Sequence, residues 1–221
     1  MIFPNPFVTL KETFNILSKS YVYECIGWTF YRMMIGYTIS LLLAMIFGIL
    51  AGHFSHFKTF LNPMIIALKS IPTAALIFLF LVILGARYAP IFVVILISFP
   101  ILYESISAGI NNVPKEIIDS AKVDGTSSLK IAMNVRLPLS IPYILVGIAS
   151  SFALSFKIEI MAEIITGDTR NGLGSAISAA QKNDPSNMVP IFAYSLIAIV
   201  FILIVTLIED ITTKKLKKLY Y

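Results

Sequence analysis

Charge is what this chain has least of. Only 13% of its 221 residues are Asp, Glu, Lys or Arg and 57% are apolar, against about 25% and about 45–50% in soluble domains. A soluble core cannot hide that much apolar surface, so the composition excludes a water-soluble globular protein and indicates a membrane one. A single cysteine, Cys25, excludes an intrachain disulfide and leaves the compartment open. The only histidines, His53 and His56, have no third ligand nearby and read as surface residues, not a metal set. The opening MIFPNPFVTLKETF lacks the basic leader and unbroken apolar core of a cleaved signal. The net charge of +5 is concentrated in Lys214, Lys215, Lys217 and Lys218. These stand at the foot of an apolar run and serve as an orientation signal, whereas a nucleic-acid binder would set basic and aromatic residues on a polar face.

What is abundant is long apolar runs. A helix needs about 20 apolar residues to cross the hydrocarbon core. Met33–Gly52, Pro63–Leu84 (with Lys69 near its start), Ala89–Ile110 (with Glu104 inside), Ile141–Ile165 (uncharged until Lys157) and Met188–Ile208 qualify. The expectation is an all-α, polytopic integral membrane protein with five transmembrane helices. Before them, Leu10, Phe14, Leu17, Tyr21 and Cys25 recur at helical spacing within Val8–Arg32, which predicts an amphipathic helix at the interface. If residues 113–138 and the C-terminus are cytoplasmic, ten Lys and Arg fall inside and six outside, with Lys157 in the membrane. The positive-inside rule then favours an external N-terminus. The domain reading is 1–32 as an external or interfacial segment, 33–209 as the transmembrane domain, and 210–221 as a basic cytoplasmic tail.

Between the third and fourth runs lies EIIDSAKVDGTSSLKIAMNVRLPLSIP (116–142). Pro114 suits a first helical turn, KEIIDSAKVD reads as helix, and Gly125 supplies a bend where positive φ is cheap. Thr126 or Ser127 can cap a second helix, SLKIAMNVR, which Arg136-Leu137-Pro138 is expected to close, because the residue before proline disfavours the α region. Ile117, Ile118, Ala121 and Val123 on the first helix, and Leu129, Ile131, Ala132, Met133 and Val135 on the second, are the candidate buried set. Two readings stand on the residues alone: a loop packed on its own membrane domain, or a docking element for a cytoplasmic partner.

Asp119-Ser120-Ala121-Lys-Val-Asp-Gly125, nine residues, then Val135-Arg136-Leu137-Pro138 resembles the E-A-A-x-x-x-G-x9-I-x-L-P motif of the membrane subunits of binding-protein-dependent ABC importers. SIPTAAL (70–76), SFPILYESISAG (98–109), AEIITGDTRNGLGSAI (162–177) and the basic tail are similar to the same family, from about Arg32 to the end. The likeness is strongest to the branch handling nitrate, sulfonates, taurine and thiamine-precursor pyrimidines. The resemblance implies that 113–138 is a cytoplasmic two-helix coupling loop. Asp119, Ser120, Ala121, Gly125, Leu137 and Pro138 would then contact a cytoplasmic ATPase subunit. Asp119 stands where the family prefers Glu, one methylene shorter, and Ser120 replaces the first Ala. Many members carry an additional N-terminal span, so the chain is expected to be either a five-span form or truncated at its start.

Charges at membrane depth usually face a cavity or a partner. Glu104, Glu159 and Glu163 are therefore pathway candidates. Glu159 and Glu163 share a helical face and are expected at a wet outer rim or subunit interface, while Lys69 is expected to extend its ammonium to the interface. Glu104 reads as a pathway residue or a snorkelling one. GDTRNGLGS (167–175) has G-x-x-x-x-G, but Leu173 stands where a phosphate loop needs Lys, and no serine sits in a recognisable nucleophile setting. Small residues on the first run (Gly36, Ala44, Gly48, Ala51, Gly52) and the fourth (Gly147, Ala149, Ser150, Ser151, Ala153) suit close helix packing.

The expected function is the permease subunit of an ABC importer, not an enzyme. It has no cofactor of its own; ATP is bound by the partner ATPase. The further partners implied are an extracytoplasmic substrate-binding protein, a second permease copy (identical or similar) and the bilayer, with no nucleic acid. The expected location is the bacterial cytoplasmic membrane. A membrane scaffold or sensor, or a self-powered secondary transporter, are the alternatives.

Overall fold

The short helix α1 (Pro6–Leu17) opens on Asn5, whose side-chain oxygen accepts from the Phe7 N–H at 2.9 Å, with Pro6 in the first turn, where its missing donor costs nothing. It stops at Ser18, whose hydroxyl donates to the Asn15 carbonyl at 2.7 Å, a local bond that competes with continued helix. The 34-residue α2 then runs Ser20–His53. The single amphipathic helix expected over Val8–Arg32 is thus two helices, and its second half is continuous with the first span. These elements belong to a computed structural model that describes residues 4–167 and 171–220, without the side chains of Ser128, Leu129 and 216–220.

Next come α3 (Ser55–Ser70), α4 (Thr73–Leu84), α5 (Ala89–Asn111) and α6 (Lys115–Val123). A run over 128–166 comprises α7 (Ser128–Ile131), a π-helical turn (Ala132–Arg136) and α8 (Leu137–Thr166). α9 (Leu173–Asn183) and α10 (Met188–Tyr220) complete the order, and every regular element among the described residues is helical. Among the described residues, four helical runs are long and apolar enough to cross a membrane: α2, α5, Ala132–Thr166 and α10. The expected span Pro63–Leu84 is not one rod. It is broken at Ile71-Pro72, where proline disfavours α geometry at the residue before it, and α3 and α4 meet at 93°. At 1.5 Å per residue the 12-residue α4 is too short to cross alone, so a fifth span exists only if the bent pair is counted as one. Lys69 lies in the last turn of α3, beside the break.

Residue contacts divide the chain into two units. The first comprises 1–38, 71–95 and 153–208. Its core holds Val22, Met33, Ile77, Val93, Val94, Phe156 and Leu173, all fully buried, with Phe156 packed against Phe30 and Phe201. A Cβ on Gly36 would lie 2.7 Å from the Ile91 carbonyl, so α2 and α5 touch through backbone there. Val82 is 85% exposed, and Ile199, Val200, Leu203 and Leu207 on α10 are exposed as well. Such outward apolar rows suit lipid as solvent.

The second unit comprises 39–70, 96–152 and 209–221. Here α5 is gripped on two sides. On one, Ile106 and Ile110 fill the space above Gly48 and Gly52 of α2, where an added Cβ would lie 2.9 and 2.7 Å from theirs. On the other, Ser105 occupies the place a Gly147 side chain would need and donates to the Tyr143 carbonyl at 2.8 Å. Small residues let transmembrane helices approach until backbone and short side chains pack directly. The glycines read from the sequence as packing residues sit at these contacts.

Candidate functional site

Three groups of polar residues stand out, the first being the loop between α5 and α7. Helix α6 ends on Asp124. The Gly125 N–H donates to the Lys122 carbonyl (3.0 Å) and the Thr126 N–H to the Ala121 carbonyl (3.1 Å). With Gly125 at φ 72°, this is a Schellman closure, in which a left-handed residue satisfies the last free carbonyls. Val113, Ile118 and Ile131 form a small core of their own, with Ala121 and Val135 packed against it. Ile117, Val123 and Met133, expected in that core, are exposed, Val123 by 87%; Leu129 lies outside the described side chains. Asp119 and Lys122 point outward and pair at 2.8 Å. The Lys122 hydrogen bond, and then its charge, hold the Asp119 carboxyl below the ordinary aspartate range.

The second helix of the loop does not close at Pro138. Leu137 is helical, and its N–H donates to the Ala132 carbonyl five residues back. Proline lacks a donor and its ring collides with the carbonyl four residues earlier; a π turn just before it widens the helix and absorbs both defects. The chain therefore stays helical from Ser128 to Thr166. Arg136 Nη1 reaches the Gly52 carbonyl at 3.4 Å, at the C-terminal turn of α2, where free carbonyls favour a cation.

The second group lies in the other unit. Glu163 is 1% exposed. One carboxylate oxygen accepts from Arg32 Nη1 at 2.7 Å; the other accepts from Thr29 Oγ1 at 2.8 Å and the Gly174 N–H at 3.0 Å. Thr29 Oγ1 in turn accepts from the Leu173 N–H at 2.8 Å. The first free N–H groups of α9 are thus capped by side chains from α2 and α8, and a carboxylate is favoured at that end. The glycines of G-L-G make this contact physically available: a Cβ on Gly172 would lie 2.6 Å from the Glu163 carboxylate, and one on Gly174 2.6 Å from the Glu163 Cβ. Glu159, one turn earlier, is fully buried, and neither of its carboxylate oxygens has a hydrogen-bond partner among the described residues. The expectation for the two acids was a wet outer rim or a subunit interface; both are instead buried within the chain.

The third group is the pair Lys69–Glu104. The ammonium bonds both carboxylate oxygens, at 2.8 and 2.9 Å, with each side chain about half exposed (46% and 48%). The half-exposed Lys69 ammonium, expected to extend to the interface, thus ends on a carboxylate.

The family profile of the binding-protein-dependent transport system inner membrane component matches residues 40–218. The chain belongs to that family. This makes it an ABC transporter permease, a transport component and not an enzyme of a known class. Among relatives, a probable ABC transporter permease of Brucella melitensis is 28% identical over 182 residues, covering 82% of this chain and 73% of the relative. The nitrate import permease of Leptolyngbya laminosa is 28% identical over 185 residues, covering 83% and 65%. Among solved structures, an amino acid ABC transporter determined with histidines superposes with a TM-score of 0.74 at 18% identity, over 97% of this chain and all of that one. That likeness speaks to the fold.

The permease's expected loop residues gather on α6 and at the start of α8. Asp119 and Ser120 are exposed, Ala121 half-buried, and Pro138 exposed after half-buried Leu137. Sequence reasoning missed Thr29, Arg32, Gly172 and Gly174 as partners of Glu163. The signal available was G-L-G following an intramembrane acid by nine residues; residues 168–170 between them lie outside the described part.

Proposed function

We propose that this permease forms one half of the translocation pathway of an ABC importer and docks a cytoplasmic ATPase through the 113–138 loop. The observation that carries the reading is the shape of that loop. A Schellman-locked bend at Gly125 holds Asp119, Ser120 and the bare Val123 side chain on the open face of α6. Beyond the bend, α7 continues through the π turn into α8 without a break. A push on α6 would therefore be delivered to a membrane-spanning helix as to a lever, and rigid rotation of helices alternates access.

ATP binding and hydrolysis belong to the ATPase partner. An extracytoplasmic binding protein delivers the solute, and a second copy of this chain, or a similar permease, completes the pathway. Counting the bent α3–α4 pair as one broken span gives five crossings. The N-terminus is then outside and the lysine-rich C-terminus in the cytoplasm of a bacterium. The solute is of the nitrate, sulfonate, taurine or pyrimidine-precursor type, a reading supported by the loop's resemblance and by the nitrate permease among the relatives. Of the three acidic candidates, Glu104 is the one still open to solvent and acts in the pathway with Lys69. Glu163 acts on the pathway indirectly, by fixing the start of α9, and Glu159 from inside the same packed region.

The test is purification with the cognate ATPase from membranes, alongside ATP-dependent uptake. Gly125→Pro, or the milder Val123→Glu, should leave the permease in the membrane while losing the ATPase and the uptake together. Wild-type association and uptake in both variants would remove the loop from the mechanism.

A further inference from the structure

Within the first unit, residues of α2, of α5 and the turn before it, and Asn171 border a cavity of about 320 Å³. Trp28, Tyr31, Arg32, Arg87, Tyr88 and Asn171 line it. Trp28 and Tyr31 meet edge to face, their centroids 5.7 Å apart, and the Arg32 guanidinium lies 5.9 Å from the Trp28 ring. Arg32 is committed to Glu163 at 2.7 Å. Arg87 is not: it is exposed, its guanidinium stands 5.5 Å from the Tyr88 ring, and no carboxylate lies within ion-pair distance of it among the described residues. Glu24 borders the adjoining opening with Arg87 and Trp28 but does not reach it. Asn171 is the one non-glycine residue with positive φ among the described residues, at 58°, a region that asparagine tolerates.

We propose that this cavity binds an oxyanion, a phosphate or sulfonate group, with Arg87 as its anchoring cation and Trp28, Tyr31 and Tyr88 as walls. A guanidinium offers a planar fork of donors that fits two oxygens of such a group at once. The contact with the Tyr88 ring, 5.5 Å from the guanidinium carbon to the centroid, restrains that fork, and the adjacent Arg32–Glu163 pair contributes little net charge to oppose an anion. The volume exceeds a bare inorganic ion and leaves room for a small organic substituent. The same chemistry is offered by the headgroup of an anionic lipid and by a soluble anion. The assignment does not depend on the loop's role in ATPase coupling.

Trp28 is the only tryptophan in the chain, so tryptophan fluorescence reports on this cavity and the opening that adjoins it. In one arm, the full chain in phosphatidylcholine nanodiscs is titrated with methanesulfonate and with inorganic phosphate at constant ionic strength. In the other, brominated phosphatidylglycerol and brominated phosphatidylcholine are compared as quenchers at equal mole fraction, which cancels the contribution of ordinary surrounding lipid. A saturable change in the first arm identifies a soluble anion; excess quenching by phosphatidylglycerol in the second identifies a lipid headgroup. In either case Arg87→Gln should weaken the effect about tenfold, and Arg87→Lys should keep part of it. Flat responses in both arms, or responses that Arg87→Gln leaves unchanged, would overturn the proposal.

Discussion

Arg32 and Glu163, 131 residues apart in the chain, meet at 2.7 Å inside the fold, their side chains 11% and 1% exposed. Removing one partner of a buried pair leaves the other charge uncompensated, at a cost of about 3–5 kcal/mol. Glu163→Ala should show this loss in full, because it also strips the caps from the Thr29 hydroxyl and the Gly174 N–H. Arg32→Ala should be of similar size. The double variant should lose less than the sum of the two, since residues in direct contact couple. Unfolding of the purified chain in detergent measures all three; strictly additive losses would mean that the pair is not a unit.

The second prediction concerns the α5–α8 seam. Gly147→Ala places a methyl group where Ser105 stands, and overpacking of a close contact costs about 1–3 kcal/mol. Ser105→Gly should recover much of the loss by opening the space, although it also removes the bond to the Tyr143 carbonyl. Gly27→Ala is the internal control, since nothing lies within 4 Å of a Cβ there and alanine is the better helix former by about 1 kcal/mol. Thermal unfolding should therefore separate the two alanine variants in opposite directions, and a Gly147→Ala protein as stable as the parent would refute the packing argument.

Local chemistry was what the sequence revealed most fully. Gly125 could be read as a bend because a positive φ has a recognisable residue preference, and Asn111, Val123 and Thr166 end helices close to where the apolar or polar periodicity fails. Pro138 misled the reading because a proline stops a helix only if nothing absorbs its missing donor, and a π turn over 132–136 does so. The break at Ile71-Pro72 is marked in the sequence by Lys69, Ser70 and Pro72, but total hydropathy over Pro63–Leu84 passes for a single span, and composition carries no angle; α3 and α4 meet at 93°. Glu163 was visible as an acid at membrane depth, but its partners were not. Thr29 and Arg32 lie on α2, and only the folded arrangement brings the start of α9 between that helix and α8.

The bend at Gly125 gives a third expectation. A Cβ there meets nothing within 4 Å, so space is not the constraint and the left-handed backbone is. Gly125→Ala should destabilise the loop by about 1–2 kcal/mol, and Gly125→Asn by less, because asparagine tolerates that region. Amide exchange of Lys115–Val123 reads the difference directly. Equal protection in the parent and the alanine variant would show that the Schellman closure does not hold α6 in place.

The fourth expectation is a titration at the exposed tip of the same helix. Lys122, three residues on, donates to Asp119 at 2.8 Å and holds its carboxyl below the ordinary aspartate range. A carboxylate with a depressed folded value supports the folded loop above the unfolded value and loses that support as pH falls through the folded one. The pair should thus be intact at neutral pH and dissolve only in acid, below the point at which a free aspartate protonates. Both side chains are exposed (60% and 65%), so solvent screening keeps the effect on global stability small, and the measurement must be local. Carboxyl-carbon NMR of Asp119 should show a midpoint that rises toward the ordinary value in Lys122→Gln. Asp119→Glu lengthens the arm by one methylene toward the residue the importer motif prefers, and it should keep a depressed midpoint because the lysine remains within reach. A midpoint indifferent to Lys122→Gln would separate Asp119 from Lys122 and leave its carboxylate free for whatever surface α6 meets.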